Sequence, residues 1–204
     1  MALSKTRKIF VETARQLFAK IGVEATTMND IAQAAKKGRR TLYTYFRSKE
    51  EVFAAVVQTE LDTLYDELRE FSEIDLPPQD KLVRFALRRF QAIDKIVKRN
   101  GSLDADFFRD IMLVERTRLK FDIKERRLIE KILREGVDKG VYIVRDAKYM
   151  AYIIQSAFKG LEVPFIKGFI SLDNEEMKNH LIDLRKLFMN GLCGNYKTTE
   201  TTKQ

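Results

Sequence analysis

Apolar residues recur at helical spacing through nearly the whole chain. Near the start, Phe10, Ala14, Leu17, Phe18 and Ile21 form one stripe, and Gly22 is placed to end that helix. Met28, Ile31, Ala32 and Ala35 follow the i, i+3, i+4, i+7 spacing of a second, short helix. Its start is marked by Thr27 and Asp30, a capping-box pair in which each side chain reaches a free backbone N–H of the other. A third short helix carries Thr41, Leu42, Tyr43, Thr44, Tyr45 and Phe46, with Leu42 and Phe46 four apart on one face. The link between these two holds one glycine, Gly38, where positive φ would allow a sharp turn. Ser48 and Glu51 form a second capping box, opening a long helix to about residue 71.

The rest also reads as helices. Asp75-Leu76-Pro77-Pro78 is a break, because proline removes a donor and restricts its predecessor. A helix is predicted from about 79 to 97, with Leu82, Phe85, Ala86, Arg89, Phe90 and Ile93 on one face. A shorter one follows over 104–115. A long charged one covers 116–139, threaded by Leu119, Ile123, Arg126, Ile129, Ile132, Leu133 and Val137. The most apolar helix runs from 146 to about 163 and stops at Pro164; the last covers 174–192. In that last helix Met177, Leu181, Leu184, Phe188 and Gly191 step by four, three, four and three, a narrow seam suited to helix–helix packing.

Charge changes this picture most at the N-terminus. The chain holds 38 Lys+Arg against 30 Asp+Glu, a net of +8. Residues 1–50 contribute 11 cations and 4 anions, so nearly all the excess lies in the first quarter. Four of the five residues joining the two short helices, Lys36-Lys37-Gly38-Arg39-Arg40, are cationic. A compact helix pair presenting clustered cations suits entry into a DNA groove, with a steep salt dependence from counterion release.

The segment resembles the TetR family of transcriptional repressors. The matching residues are Leu17-Phe18-Ala19-Lys20-Ile21-Gly22, then Thr26-Thr27-Met28-Asn29-Asp30-Ile31-Ala32, then Thr41 through Glu50. Further on, Glu135-Gly136 with Gly140-Val141-Tyr142, and Leu187 through Leu192, resemble the family's last helices. The chain departs from the family in its turn: Lys36, Lys37 and Gly38 stand where a small, an apolar and a serine-like residue are usual, and Arg40 where a small residue is common.

The resemblance implies an all-α protein. Residues 1–50 would be a three-helix helix-turn-helix DNA-binding domain, 51–196 a helical effector-binding and dimerisation domain, and 197–204 a disordered tail. It implies a homodimer on a palindromic operator of double-stranded DNA, released by a small-molecule effector of apolar or aromatic character. By residue type, Arg39, Arg40, Thr41 and Thr44 suit base edges, since arginine pairs in a bidentate way with guanine. Thr27, Lys37, Tyr43 and Lys49 suit phosphates. Phe90, Phe108, Met112, Phe121, Tyr149, Tyr152 and Phe158 are candidate effector-pocket lining, with ordinary core packing as the alternative for each. The seam Met177, Leu181, Leu184 and Phe188 is the expected dimer interface.

Other chemistry finds little footing. His180 is the one histidine and Cys193 the one cysteine, so one chain cannot assemble a zinc set of the usual ligands. No cofactor or metal is expected, and no glycine-rich phosphate loop or serine-nucleophile motif is present. Asp106 and Asp110 are one helical turn apart, as on a solvated face. No apolar run approaches 18 residues and no secretory signal is evident, so a cytoplasmic protein is expected. The competing reading is a helical small-molecule-binding or interaction protein whose basic N-terminal unit contacts another protein. Only a DNA-binding role requires the cation-loaded recognition helix.

Overall fold

In the computed structural model the described residues are 4–100, 111–167, 169, 182–183, 185–187 and 190–192. The elements are α1 (Lys5–Ile21), α2 (Met28–Ala34), α3 (Arg39–Tyr45), α4 (Lys49–Ser72), α5 (Pro78–Asn100), α6 (Ile111–Asp138) and α7 (Ala147–Ile166). Helical residues recur over 182–192, and no strand occurs among the described residues. Among them, too, no helix is long and apolar enough to cross a membrane.

The chain divides into two compact units. The first comprises Met1–Leu68 and Arg89–Lys124. Its centre is apolar and tightly closed. Phe10, Ala14, Phe18, Ile31, Leu42 and Val52 are fully buried, and the rings of Phe18 and Phe53 meet edge-on with centroids 6.0 Å apart. The α1 stripe is the expected one at Phe10, Ala14 and Phe18, with Val11 also buried, while Ile21 is 46 % exposed in the last turn. At the far end of this unit, α1 is tied to the end of α5. Arg15 donates to the Arg99 carbonyl (3.4 Å) and to Asn100 Oδ1 (3.5 Å). Buried Asn100 donates to Glu60 on α4 at 3.2 Å, and Arg99 pairs with the same carboxylate. A cation on the last carbonyls of a helix is also favoured by the helix dipole.

The second unit comprises Arg69–Arg88 and Glu125–Gln204. Leu82, Phe85, Ile129, Ile132, Leu133 and Ala151 are fully buried in it. Here the Glu135-Gly136 and Gly140-Val141-Tyr142 motifs acquire a physical reason. After α6 the chain reverses through Gly140 at φ 68, and the N–H groups of Val141 and Tyr142 both return to the Gly136 carbonyl (2.8 and 3.0 Å). Tyr142 is thereby laid against Gly136, 4 % exposed, with its hydroxyl donating to the Pro78 carbonyl at 2.5 Å. Beside it, buried Lys81 pairs with Glu135 at 2.8 Å, and Lys139 donates to the other oxygen at 2.7 Å. Lys139 first and Lys81 second hold that carboxyl below its ordinary pKa.

Several expected boundaries move. The helix predicted from 116 begins at Ile111, so no break separates residues 115 and 116. Its buried face is also shifted. Leu119 and Ile123 are 59 % and 46 % exposed, whereas Arg118, Phe121, Asp122 and Glu125 are buried. Pro164 does not stop α7 but lies in its last turn, where helical bonding resumes from Lys167 N–H to the Val163 carbonyl (3.0 Å). Near a helix end the lost donor removes one bond only, which the remaining packing offsets. Phe165, one residue later, is still buried.

Candidate nucleic-acid interface

Three short segments of the first unit build the candidate interface. Thr27 caps α2: its hydroxyl accepts from Asp30 N–H (3.2 Å) and donates to the Asp30 carboxylate (2.7 Å), while Thr27 N–H donates to the same oxygen (2.9 Å). The Thr27 hydroxyl foremost, then its backbone N–H, hold the Asp30 carboxyl below its usual range. This is the expected capping box. The second expected box, at Ser48 and Glu51, is only half formed. Ser48 accepts from Glu51 N–H at 3.3 Å, but the Glu51 carboxylate passes Ser48 and takes Arg47 N–H at 2.7 Å.

The turn between α2 and α3 is made differently from the sequence expectation. Gly38 is the extended N-cap of α3 at φ −63°, and the positive φ, 52°, belongs to Lys36. Lys36 N–H bonds to the Gln33 carbonyl and Lys37 N–H to the Ala32 carbonyl, both at 3.0 Å. These two bonds close a Schellman motif, in which the residue after the C-cap must be left-handed. A lysine there is strained by about 1 kcal/mol relative to glycine. Lys36→Gly is therefore expected to raise stability by up to about 1 kcal/mol in urea denaturation, while removing one cation from the basic turn. A destabilised variant would show that the strain is absent.

The turn aims α3 outward. Leu42 is fully buried and Phe46 2 % exposed beneath the helix, whereas Arg39, Arg40, Thr41, Tyr43 and Thr44 are exposed. Arg39 stacks over the Tyr43 ring at 5.6 Å, one helical turn away. The Thr44 hydroxyl donates to the Thr41 carbonyl at 2.7 Å, which fixes its rotamer. Lys36 and Lys37 are exposed beside them, so the cations line one solvent-facing ridge. Of the sequence-assigned phosphate contacts, Thr27, Lys37 and Tyr43 are exposed. Lys49 is occupied within the fold: its ammonium donates to the carbonyls of Val23 (2.8 Å) and Glu24 (3.1 Å), bracing the α1–α2 loop from the start of α4. Hydrophobic patterning cannot find such a brace, because nothing about a lysine in sequence marks its partner as a carbonyl 26 residues earlier.

The other assigned residues scatter. Phe121 in the first unit and Phe158 in the second are buried, and Phe90 is half-buried. Tyr149 and Tyr152 stand at the surface, 62 % and 47 % exposed, with Arg126 over the Tyr152 ring at 5.1 Å. Phe108, the side chain of Met112, and the seam Met177, Leu181, Leu184 and Phe188 lie outside the described residues, as do His180, Cys193, Asp106 and Asp110.

Known proteins resemble both the interface and the whole chain. Residues 10–56, which span α1 to the first turns of α4, match the family described as bacterial regulatory proteins, tetR family. The uncharacterized HTH-type transcriptional regulator YhgD of Bacillus subtilis (strain 168) is 27% identical over 175 residues, covering 83% of this chain and 88% of that protein. The HTH-type transcriptional repressor KstR2 of Mycolicibacterium smegmatis (strain ATCC 700084 / mc(2)155) is 28% identical over 141 residues, 67% of each chain. Among solved structures, a transcriptional regulator from Cytophaga hutchinsonii ATCC 33406 shares the fold with a TM-score of 0.70 at 20% identity, over 92% of this chain and 98% of that one.

Proposed function

We propose that the chain, whose residues 10–56 match the tetR family of bacterial regulatory proteins, is a TetR-type regulator and not an enzyme: a cytoplasmic repressor, binding a palindromic operator as a homodimer and released by a small molecule. The observation that carries the reading is the ridge itself. Lys36, Lys37, Arg39 and Arg40 are all exposed on the helix-turn-helix, backed by the buried Leu42 and Phe46. Residues 1–50 would then be the reading domain, with effector binding and dimerisation in 51–196.

A second copy has a natural seat on α7. Tyr149, Tyr152, Ile153, Ser156, Ala157, Gly160 and Leu161 recur at helical spacing, and all are exposed in the single chain. Small residues in the middle of the stripe let helices approach closely, and the aromatic and branched residues at its ends supply area. A two-fold interface uses the same patch on both subunits, which a single stripe of this kind satisfies. Two recognition helices would then meet half-sites roughly 34–36 Å apart, one turn of DNA. The predicted seam in the last helix would extend the same interface.

The test is selection of bound fragments from sheared DNA of the source organism at two salt concentrations, followed by titration of the recovered motif. One enriched palindrome supports the reading. Unselective retention lost at moderate salt would leave only phosphate contact and sink it. On the recovered motif, Arg40→Ala is expected to cost about 1–3 kcal/mol and relax sequence preference at one position. Lys37→Ala is expected to weaken every duplex similarly and lower the salt slope by about 1. If both variants lose equally on all sequences, base contact by Arg40 is excluded.

A further inference from the structure

The first unit contains a groove that the DNA-reading role leaves unused, formed where α1, the end of α3, α4 and the start of α6 come together. Its volume is about 440 Å³, within the size range of small-molecule sites. Its lining includes the aromatic residues Tyr45 and Phe46 and, from α4, Ala54 and Ala55. Around the rim stand three cations, Arg7 from α1 and Arg116 and Lys120 from α6. The Arg7 guanidinium lies over the Phe46 ring, 4.9 Å from its centroid. One carboxylate, Glu51, lines the groove, and its Oε2 already accepts Arg47 N–H at 2.7 Å. Gln58 adds an amide.

Cations more than a hundred residues apart in sequence thus converge on one concavity, with one carboxylate among its described lining residues. Like charges gathered around an apolar lining repel one another until an anion joins them. The two halves of the lining ask for different things: the cations for negative charge, the rings and methyl groups for a flat apolar body. DNA phosphate answers only the first, since a backbone phosphate gains nothing from an aromatic lining. We infer that this groove is a ligand site for a flat aromatic anion, an aryl carboxylate or aryl phosphate, held by Arg7, Arg116 and Lys120 over Tyr45 and Phe46. Its residues come from α1, the end of α3 and α4 as well as α6, so occupancy would bear on how the reading helix is held. The site is separate from the effector lining considered above: among the described residues, none of Phe90, Phe121, Tyr149, Tyr152 and Phe158 lines this groove.

The probe is 2-naphthoate, with neutral 2-naphthamide as its uncharged counterpart, titrated calorimetrically into the full chain. Millimolar or tighter binding of the anion, at least tenfold stronger than the amide, is expected. Arg116 and Lys120 are exposed, so charge reversal there should leave the fold intact. R116E with K120E is expected to weaken 2-naphthoate at least tenfold. Equal reversal at exposed Arg127 and Lys148, which do not line the groove, should change it less than twofold. Ala54→Phe, which fills the groove without altering charge, should also abolish binding. Absence of 2-naphthoate binding to the unaltered chain overturns the proposal, as does equal loss in the control pair. Displacement of 2-naphthoate by any DNA duplex, with R116E/K120E losing DNA affinity in proportion, would assign the groove to phosphate backbone and overturn it as well.

Discussion

Gly136→Ala is expected to destabilise the chain by about 3 kcal/mol or more, even though alanine is ordinarily the better helix former. A Cβ at position 136 would lie 2.0 Å from Cδ2, 2.4 Å from Cε2 and 2.9 Å from Cγ of Tyr142. The ring cannot simply swing aside. It is buried, its hydroxyl is anchored on the Pro78 carbonyl, and its own N–H returns to the Gly136 carbonyl. Moving it costs the strain of overpacking, about 1–3 kcal/mol, and leaves a buried hydroxyl and carbonyl to find other partners, each about 1–3 kcal/mol if unsatisfied. Urea denaturation checks the loss. Gly136→Ala combined with Tyr142→Leu should recover part of it, because the shorter side chain vacates the space the methyl needs. A single-variant loss under about 1 kcal/mol would mean that the turn relaxes freely and that the contact does not constrain it.

On the proposed two-fold interface through α7, Ala157→Arg is expected to yield a monomer and to weaken binding to the proposed operator a hundredfold or more, roughly 3 kcal/mol. Ala157 lies mid-stripe on exposed α7, between Ile153 and Gly160 and Leu161. On a two-fold interface one substitution introduces two charges facing each other across a dry surface, and neither finds a partner. Linkage of the two reading heads is then lost, and with it the effective concentration that makes the second half-site contact intramolecular. Sedimentation measures the mass and anisotropy the affinity. Because Ala157 is exposed in the single chain, the monomer should keep its helical signal. A variant that stays dimeric with unchanged affinity would place the interface elsewhere.

The N-terminal region was the most legible part of the sequence. Thr27 and Asp30 cap α2 where the pattern puts the box, and Leu42 and Phe46 are buried at the expected four-residue spacing. Short helices that pack on one side only have a clean division between apolar and polar positions, so their register can be read. The turn is less legible: residue type points to Gly38 for the strained conformation, whereas the Schellman geometry assigns it by position, and position 36 is lysine. In α6 the pattern failed for another reason. Arg118, Asp122 and Glu125 are buried, with Arg118 and Asp122 3.7 Å apart and Glu125 accepting from Gln155 at 3.4 Å. Burial of paired charge inverts the rule that polar positions face water, so the stripe through Leu119 and Ile123 pointed the wrong way. On α7, Tyr149 and Tyr152 are exposed rather than lining a pocket; in sequence they look like any other aromatic residues of an apolar helix. Only fractional exposure separates interior from surface there.

The recognition helix has seven residues and no side-chain cap at Gly38. A helix of two turns does not persist in water by itself, so α3 owes its existence to Leu42 and Phe46 being held from below. Its amides should therefore exchange with solvent through a local opening that leaves α4 closed, at a free-energy cost well short of global unfolding. On the proposed reading, the element offered to DNA opens more easily than the α4 that supports it, and it gains order when a duplex holds it.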